Sequence, residues 1–221
     1  MRRILLALSL GTSAFAGSAS ILPEMNKHLA FGKECMKRGY EGGAIASANL
    51  ILLDQIKIFV DDRNATDQTL LAFADAEFIW EDALDNETKF VRVSTRKEAE
   101  VVVSFANGLN VQGREAGGYT EWNRSVKWTD GQYVGSLKAD MKLRTVRPDG
   151  KPMSREQARH AALHEIGHLL GLDDCSTKGE VMAPLNLSKP VGTPAFKEVS
   201  ALMELRAKAQ ELRSSALTPR L

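Results

Sequence analysis

Three kinds of hydrophobic pattern divide the chain. Ile4 to Ala16 is an unbroken apolar and small-residue run behind Met1-Arg2-Arg3. Pro23 to Leu53 reads as helix, interrupted by Gly39-Tyr40-Glu41-Gly42-Gly43, which predicts a helix–turn–helix. From Gln55 onward the pattern alternates between strand and helix. Gln55 to Val60 has the period-two alternation of a half-buried strand. Gln68 to Leu84 is amphipathic at helical spacing, with Leu70, Leu71, Phe73, Ala74, Phe78 and Trp80 supplying its apolar surface. Phe90 to Val93 and Glu100 to Phe105 read as two further strands, the second apolar enough to lie centrally in a sheet. Gly108 to Gly118 is glycine-rich and reads as loop, a fourth strand begins at Gly117-Gly118-Tyr119, and Ala139 to Arg144 is a fifth.

Pro148-Asp149-Gly150-Lys151-Pro152 marks a turn. Ser154 then opens a helix, with Gln157 placed to complete a capping box, and the helix runs to about Leu170. Thr193 and Pro194 carry the signal for the start of a last helix, with Leu202, Leu205 and Leu212 on its buried face. Ser214 to Leu221 reads as a flexible tail.

Composition narrows the class. The chain has 221 residues, 43% of them hydrophobic, enough for one domain with a proper core. Net charge is +1, so no strong field points to nucleic acid or to an anionic membrane. The charged start, the short apolar run and Ala14-Phe15-Ala16 together read as a signal peptide over residues 1–16. An uncleaved anchor is the rival, but the run is too short to span a bilayer. The expected location is therefore secreted or periplasmic.

The candidate chemistry sits in His164-Glu165-Ile166-Gly167-His168-Leu169-Leu170-Gly171-Leu172-Asp173-Asp174. Two histidines four apart share a helix face, so both imidazoles can reach one zinc ion. Glu165 lies between them, beside the metal rather than on it, where a carboxylate can take a proton from zinc-activated water. Gly171 can adopt the positive φ that ends a helix, so Asp174 can return as third ligand and leave one coordination position open. Asp173 is the rival third ligand. His160 shares the helix face but lies a further turn from the metal, and reads as a neighbour or a solvated residue. His28, far away in sequence, reads as solvated.

The order HExxHxxGxxD, followed by Val181-Met182-Ala183-Pro184, resembles the metzincin zinc endopeptidases, and "ALHEIGHLLGLDD…EVMAP" is most similar to their matrixin branch. The matrixin third ligand is His, whereas this chain has Asp174, as snapalysin-like metzincins do. The added negative charge should weaken the metal as a Lewis acid and lower activity or shift it to higher pH. The resemblance implies an α+β fold: a metzincin-like catalytic domain with a twisted mixed five-stranded sheet packed on two long helices. A C-terminal helix and an N-terminal helical segment are added to it. It implies a zinc cofactor, ligands His164, His168 and Asp174, Glu165 as general base, and Met182 packed beneath the ligands. It also implies that an edge strand around Tyr119 pairs with substrate and that Leu185 to Gly192 walls the pocket beyond the scissile bond. The expected activity is a secreted, extracellular-matrix-type endopeptidase acting as a monomer on protein or peptide substrates.

These readings divide the chain into a signal peptide (1–16), an N-terminal helical segment and candidate prosegment (17–54), a metzincin-like zinc peptidase domain (55–213) and a tail (214–221). Cys35 and Cys175 leave three readings open: a disulfide, two free thiols, or a latency switch in which Cys35 caps zinc. Two rival functions remain. One is a gluzincin-type peptidase with Glu198 or Glu204 as third ligand; the other is a non-catalytic secreted binding module retaining the fold.

Overall fold

The computed structural model describes residues 21–218, so the leader read in residues 1–16 lies outside the described residues. Helix α1 (Pro23–Lys37) and helix α2 (Glu41–Leu52) come first. They are followed by β1 (Gln55–Asp61), α3 (Asp67–Ala83), β2 (Lys89–Arg92), β3 (Val101–Ala106), β4 (Asn110–Val111) and β5 (Arg114–Glu115). Then come β6 (Gly118–Thr129), β7 (Gln132–Arg144), α4 (Arg155–Leu170) and α5 (Phe196–Leu217). The fold is α+β, with a mixed five-stranded sheet in the order β2-β1-β3-β7-β6. Strand β1 runs parallel to β2 and β3, and β3 runs parallel to β7. Edge strand β6 is antiparallel to β7.

The strand sequences account for the layering. In β1, Ile56 and Ile58 are buried while Gln55 and Lys57 are exposed. In β7, Leu137, Ala139, Met141 and Leu143 are buried and the residues between them are exposed. One face of the sheet is therefore covered, and the apolar side chains on it join those of the helices in a single core. Strand β3 is central, and Val101, Val102 and Val103 are all buried.

Three local outcomes differ from the pattern reading. Strands β6 and β7 form one long hairpin rather than two short strands. Asp130 (φ 49) and Gly131 (φ 84) turn it, the left-handed pair that a two-residue hairpin requires. Helix α5 begins at Phe196 instead of Pro194, because the Glu198 carboxylate accepts a hydrogen bond from Ala195 N (2.6 Å) and caps the helix there. It continues through Ser214 to Leu217 with Ala216 buried. Within the segment read as loop, β4 and β5 form a two-residue ladder.

Helix α3 buries Phe73 and Trp80, and Trp80 Nε1 donates to Leu163 O on α4 (2.9 Å). Leu71 and Phe78, read as apolar surface, are solvent-exposed. Helices α1 and α2 share the main core, with Leu22, Met25, Leu29, Ala44 and Ile51 all buried in it. His28 is buried rather than solvated, and its carbonyl accepts a hydrogen bond from Ser47 Oγ on α2 (2.6 Å).

Candidate metal centre

Helix α4 is set at both ends by its own sequence. Ser154 Oγ accepts from Gln157 N and Gln157 Oε1 accepts from Ser154 N, closing the capping box. At the other end Gly171 has φ 101, Gly171 N donates to His168 O (3.0 Å) and Leu172 N donates to Gly167 O (2.9 Å). This pair of bonds is a Schellman stop, and it turns the chain back towards the histidine face.

That turn brings Asp174 to the two imidazoles. Asp174 Oδ1 lies 3.2 Å from His164 Nε2 and 3.4 Å from His168 Nε2. One donor atom from each of the three residues falls within 4.8 Å of the others. Donors around a tetrahedral zinc with bonds of about 2.0–2.1 Å stand roughly 3.3–3.4 Å apart, so the triad has the spacing such an ion needs. The imidazole orientation fits as well. His164 Nδ1 lies 2.9 Å from Val181 O, and His168 Nδ1 lies 2.9 Å from Leu172 O. Each carbonyl holds a proton on Nδ1, which leaves the Nε2 lone pair for a metal. Without metal, doubly protonated His164 and His168 hydrogen-bond to Asp174 through Nε2 and hold its carboxyl well below the usual carboxylate range, so an ion that displaces those Nε2 protons meets an anionic ligand.

Glu165 reaches towards the edge strand while staying close enough to His164, His168 and Asp174 to interact electrostatically with each. It is almost fully buried, and its Oε2 accepts a hydrogen bond from Thr120 Oγ1 (2.7 Å). Burial pushes its carboxyl up, and His164, His168 and Thr120 only partly offset that. A Cβ at Gly118 would stand 2.5 Å from Glu165 Cγ and Oε1, so glycine is required opposite this carboxylate.

Strand alternation places four β6 residues along α4. Gly118 and Thr120 meet Glu165. Trp122 stacks on the His168 ring, centroids 5.6 Å apart and planes 18° from parallel. Arg124 donates to Leu169 O. Met182 is buried against Gly167, the residue just before His168, where a side chain would collide with its sulfur. Glu198 holds this turn, accepting from Met182 N (2.8 Å) and Val181 N (3.3 Å).

The remaining sequence candidates lie elsewhere. His160 is buried, with Nδ1 accepting from Val191 N (3.0 Å) and Nε2 3.3 Å from Val181 O, so it braces the wall segment rather than facing solvent. Asp173 Oδ1 accepts from Asp174 N (3.0 Å) and so shapes the turn. Glu198 is engaged by backbone amides, and exposed Glu204 pairs with Lys208 (2.6 Å). Neither joins the histidine triad, which removes the geometric basis for a later glutamate as third ligand. Cys35 and Cys175 are both free, Cys35 buried on α1 and Cys175 hydrogen-bonded to Glu180 (3.2 Å). A groove of about 830 Å³ lies between α2 and the β6–β7 hairpin, and none of the triad lines it.

Sequence reasoning singled out the triad, Glu165 and Met182, and raised Glu198 only as a rival ligand; it did not single out Thr120, Trp122 or Arg124. The period-two alternation from Gly118 to Arg124 was the available signal for these three, since it puts them on one strand face.

A helix carrying two imidazoles and a buried carboxylate, a glycine-stopped return to a third donor, and a methionine turn beneath define a metzincin-type metallopeptidase. The Matrixin family profile matches residues 56–195, and the chain belongs to that family, whose members are zinc-dependent. No curated protein matches the chain significantly in sequence. The matched region begins within β1 and ends before α5, leaving α1, α2 and α5 outside it.

Proposed function

We propose that the protein is an exported zinc-dependent endopeptidase, with His164, His168 and Asp174 as metal ligands and Glu165 as general base. The observation that carries this reading is the convergence of three donor atoms at zinc spacing beside a buried carboxylate. Bound there, zinc would supply a Lewis acid to polarise the scissile carbonyl and the attacking water.

The chain's own residues account for the rest of the reaction. Glu165, held by Thr120 and shielded from bulk water, accepts the proton of the attacking water and passes it to the leaving amine. Its raised affinity for protons suits that two-way transfer. Strand β6 ends the sheet order, so an extended peptide can add to its outer edge as a further strand across the centre. Gly118 keeps the strand close to Glu165 at that point. Leu185 packs on Gly117, Leu187 O accepts from Gln157 Nε2 (2.7 Å) and Val191 N donates to His160. The Leu185–Gly192 segment is thereby pinned along α4 as a wall for the residue after the scissile bond. Export rests on the apolar leader in residues 1–16; among the described residues no helix is long and apolar enough to cross a membrane.

A peptide-library digest tests the proposal. Wild type with zinc should cleave internal peptide bonds, and a chelator should stop it. Glu165→Gln keeps an acceptor for Thr120 and should lose about 10²–10⁴-fold in activity while still binding zinc. Absence of cleavage at every pH by zinc-loaded wild type would favour a non-catalytic binding module.

A further inference from the structure

We propose that Glu24 on α1 is a positioning residue for the metal site, so that the N-terminal helix is part of the working peptidase and is not removed as a prosegment. This rests on the metal-site reading above. It goes beyond the family, because α1 lies outside the matched residues.

Three contacts tie the start of α1 to the end of α4 and the turn that delivers Asp174. First, Glu24 Oε2 accepts from Trp122 Nε1 (2.7 Å) and Arg124 Nη1 (2.6 Å). Trp122 is the ring stacked on His168, and Arg124 Nη2 reaches Leu169 O and, at 3.5 Å, His168 O. A single oxygen thus holds both the plane against which the His168 imidazole rests and the cation that caps its helix. Second, Met25 fills the space that only a glycine at position 171 leaves open. Third, Ile21 O accepts from Asp173 N (2.9 Å), one residue before the third ligand.

The Arg124 side chain is fully buried and Glu24 is its ion-pair partner. A buried guanidinium without its counter-charge must shift or draw in water. Either response moves Trp122, whose ring lies 5.9 Å from the guanidinium carbon. Loss of Glu24, or of the whole segment, would therefore release the stacking plane and the helix cap together. The first ligand, His164, takes its support from the Val181 carbonyl and would be spared.

The test is zinc affinity by competition with a chromophoric chelator, together with the visible spectrum of the cobalt-substituted protein. The full chain is compared with Glu24→Ala, Glu24→Gln and Trp122→Leu, and folding is checked by circular dichroism. Glu24→Ala should bind zinc about tenfold or more weakly, within the range for residues that orient ligands, and should show altered cobalt bands. Glu24→Gln should fall between Glu24→Ala and wild type, because its amide oxygen still accepts both donors but carries no charge. Trp122→Leu removes the stacking without unpairing a charge, and decides the matter should Glu24→Ala fail to fold; it should also weaken zinc and alter the bands. A folded Glu24→Ala, or in its absence a folded Trp122→Leu, with wild-type affinity and spectrum would overturn the proposal while leaving the metal site intact. Wild type that takes up no zinc would overturn both.

Discussion

The two histidines of the centre are held from opposite sides by different means. On the His164 side, Glu198 of α5 grips backbone: it accepts from Val181 N and Met182 N, and Val181 O then meets His164 Nδ1. On the His168 side, Glu24 of α1 grips side chains, Trp122 and Arg124, which stack on the imidazole and cap its helix. Both carboxylates come from helices outside the residues shared with the family. A clamp on main-chain amides fixes a segment of the fold, so its loss should cost stability and site geometry together. A clamp on side chains can be released with the backbone in place, so its loss should act mainly on one ligand.

Removing the donor that the two sides share should have the largest effect. Asp174→Ala should weaken zinc binding by more than the roughly 10–100-fold typical of residues behind the ligands, with little change in folding of the metal-free chain. Chelator competition measures the first and urea unfolding the second. Retention of wild-type affinity would remove Asp174 from the ligand set.

Next in size, Glu198→Ala leaves two or three buried amides without an acceptor, at about 1–3 kcal/mol each before relaxation. We expect the metal-free protein to lose roughly 2–4 kcal/mol in urea unfolding. Glu24→Ala should lose less, about 1–3 kcal/mol, because Glu24 keeps solvent contact and Arg124 retains the carbonyls of α4. Equal losses in the two variants would collapse the distinction between a backbone clamp and a side-chain clamp.

Glu77 gives the smallest effect and the contrast, being a buried carboxylate that serves no ligand. It pairs with Arg92 (2.5 Å), and its other oxygen has no partner. Burial pushes its pKa from 4.5 up to about 7. A carboxyl that holds its proton more tightly when folded contributes fully below its unfolded value, and that contribution fades as pH rises through 7. Glu77→Gln should therefore raise stability at pH 8 by roughly 1–2 kcal/mol and add nothing at pH 4, with zinc affinity unchanged. Thermal unfolding at the two pH values is the check.

How far the sequence announced this arrangement differs between local and distant partners. His164, Glu165, His168, the Gly171 stop and Asp174 lie within eleven residues, and helix periodicity with one glycine fixes their relation. The capping box of α4 was legible for the same reason. Trp122 and Arg124 could be placed on one strand face, but nothing in the pattern says that a residue near position 24 closes over them. His28 reads as solvated because its burial depends on α2 packing 19 residues further along the chain. Thr193-Pro194 carries a sound helix-start signal, yet the Glu198 carboxylate moves the start to Phe196. The long hairpin was the exception, since Asp130-Gly131 stood in plain view as its turn.

Anomalous scattering at the zinc edge from crystals of the zinc-loaded full chain tests the central claim most directly. One strong peak bonded to His164 Nε2, His168 Nε2 and an Asp174 carboxylate oxygen is the expected result. No peak there, or a peak instead among Cys175, Glu180 and Glu198, whose ligand atoms also cluster, would contradict it.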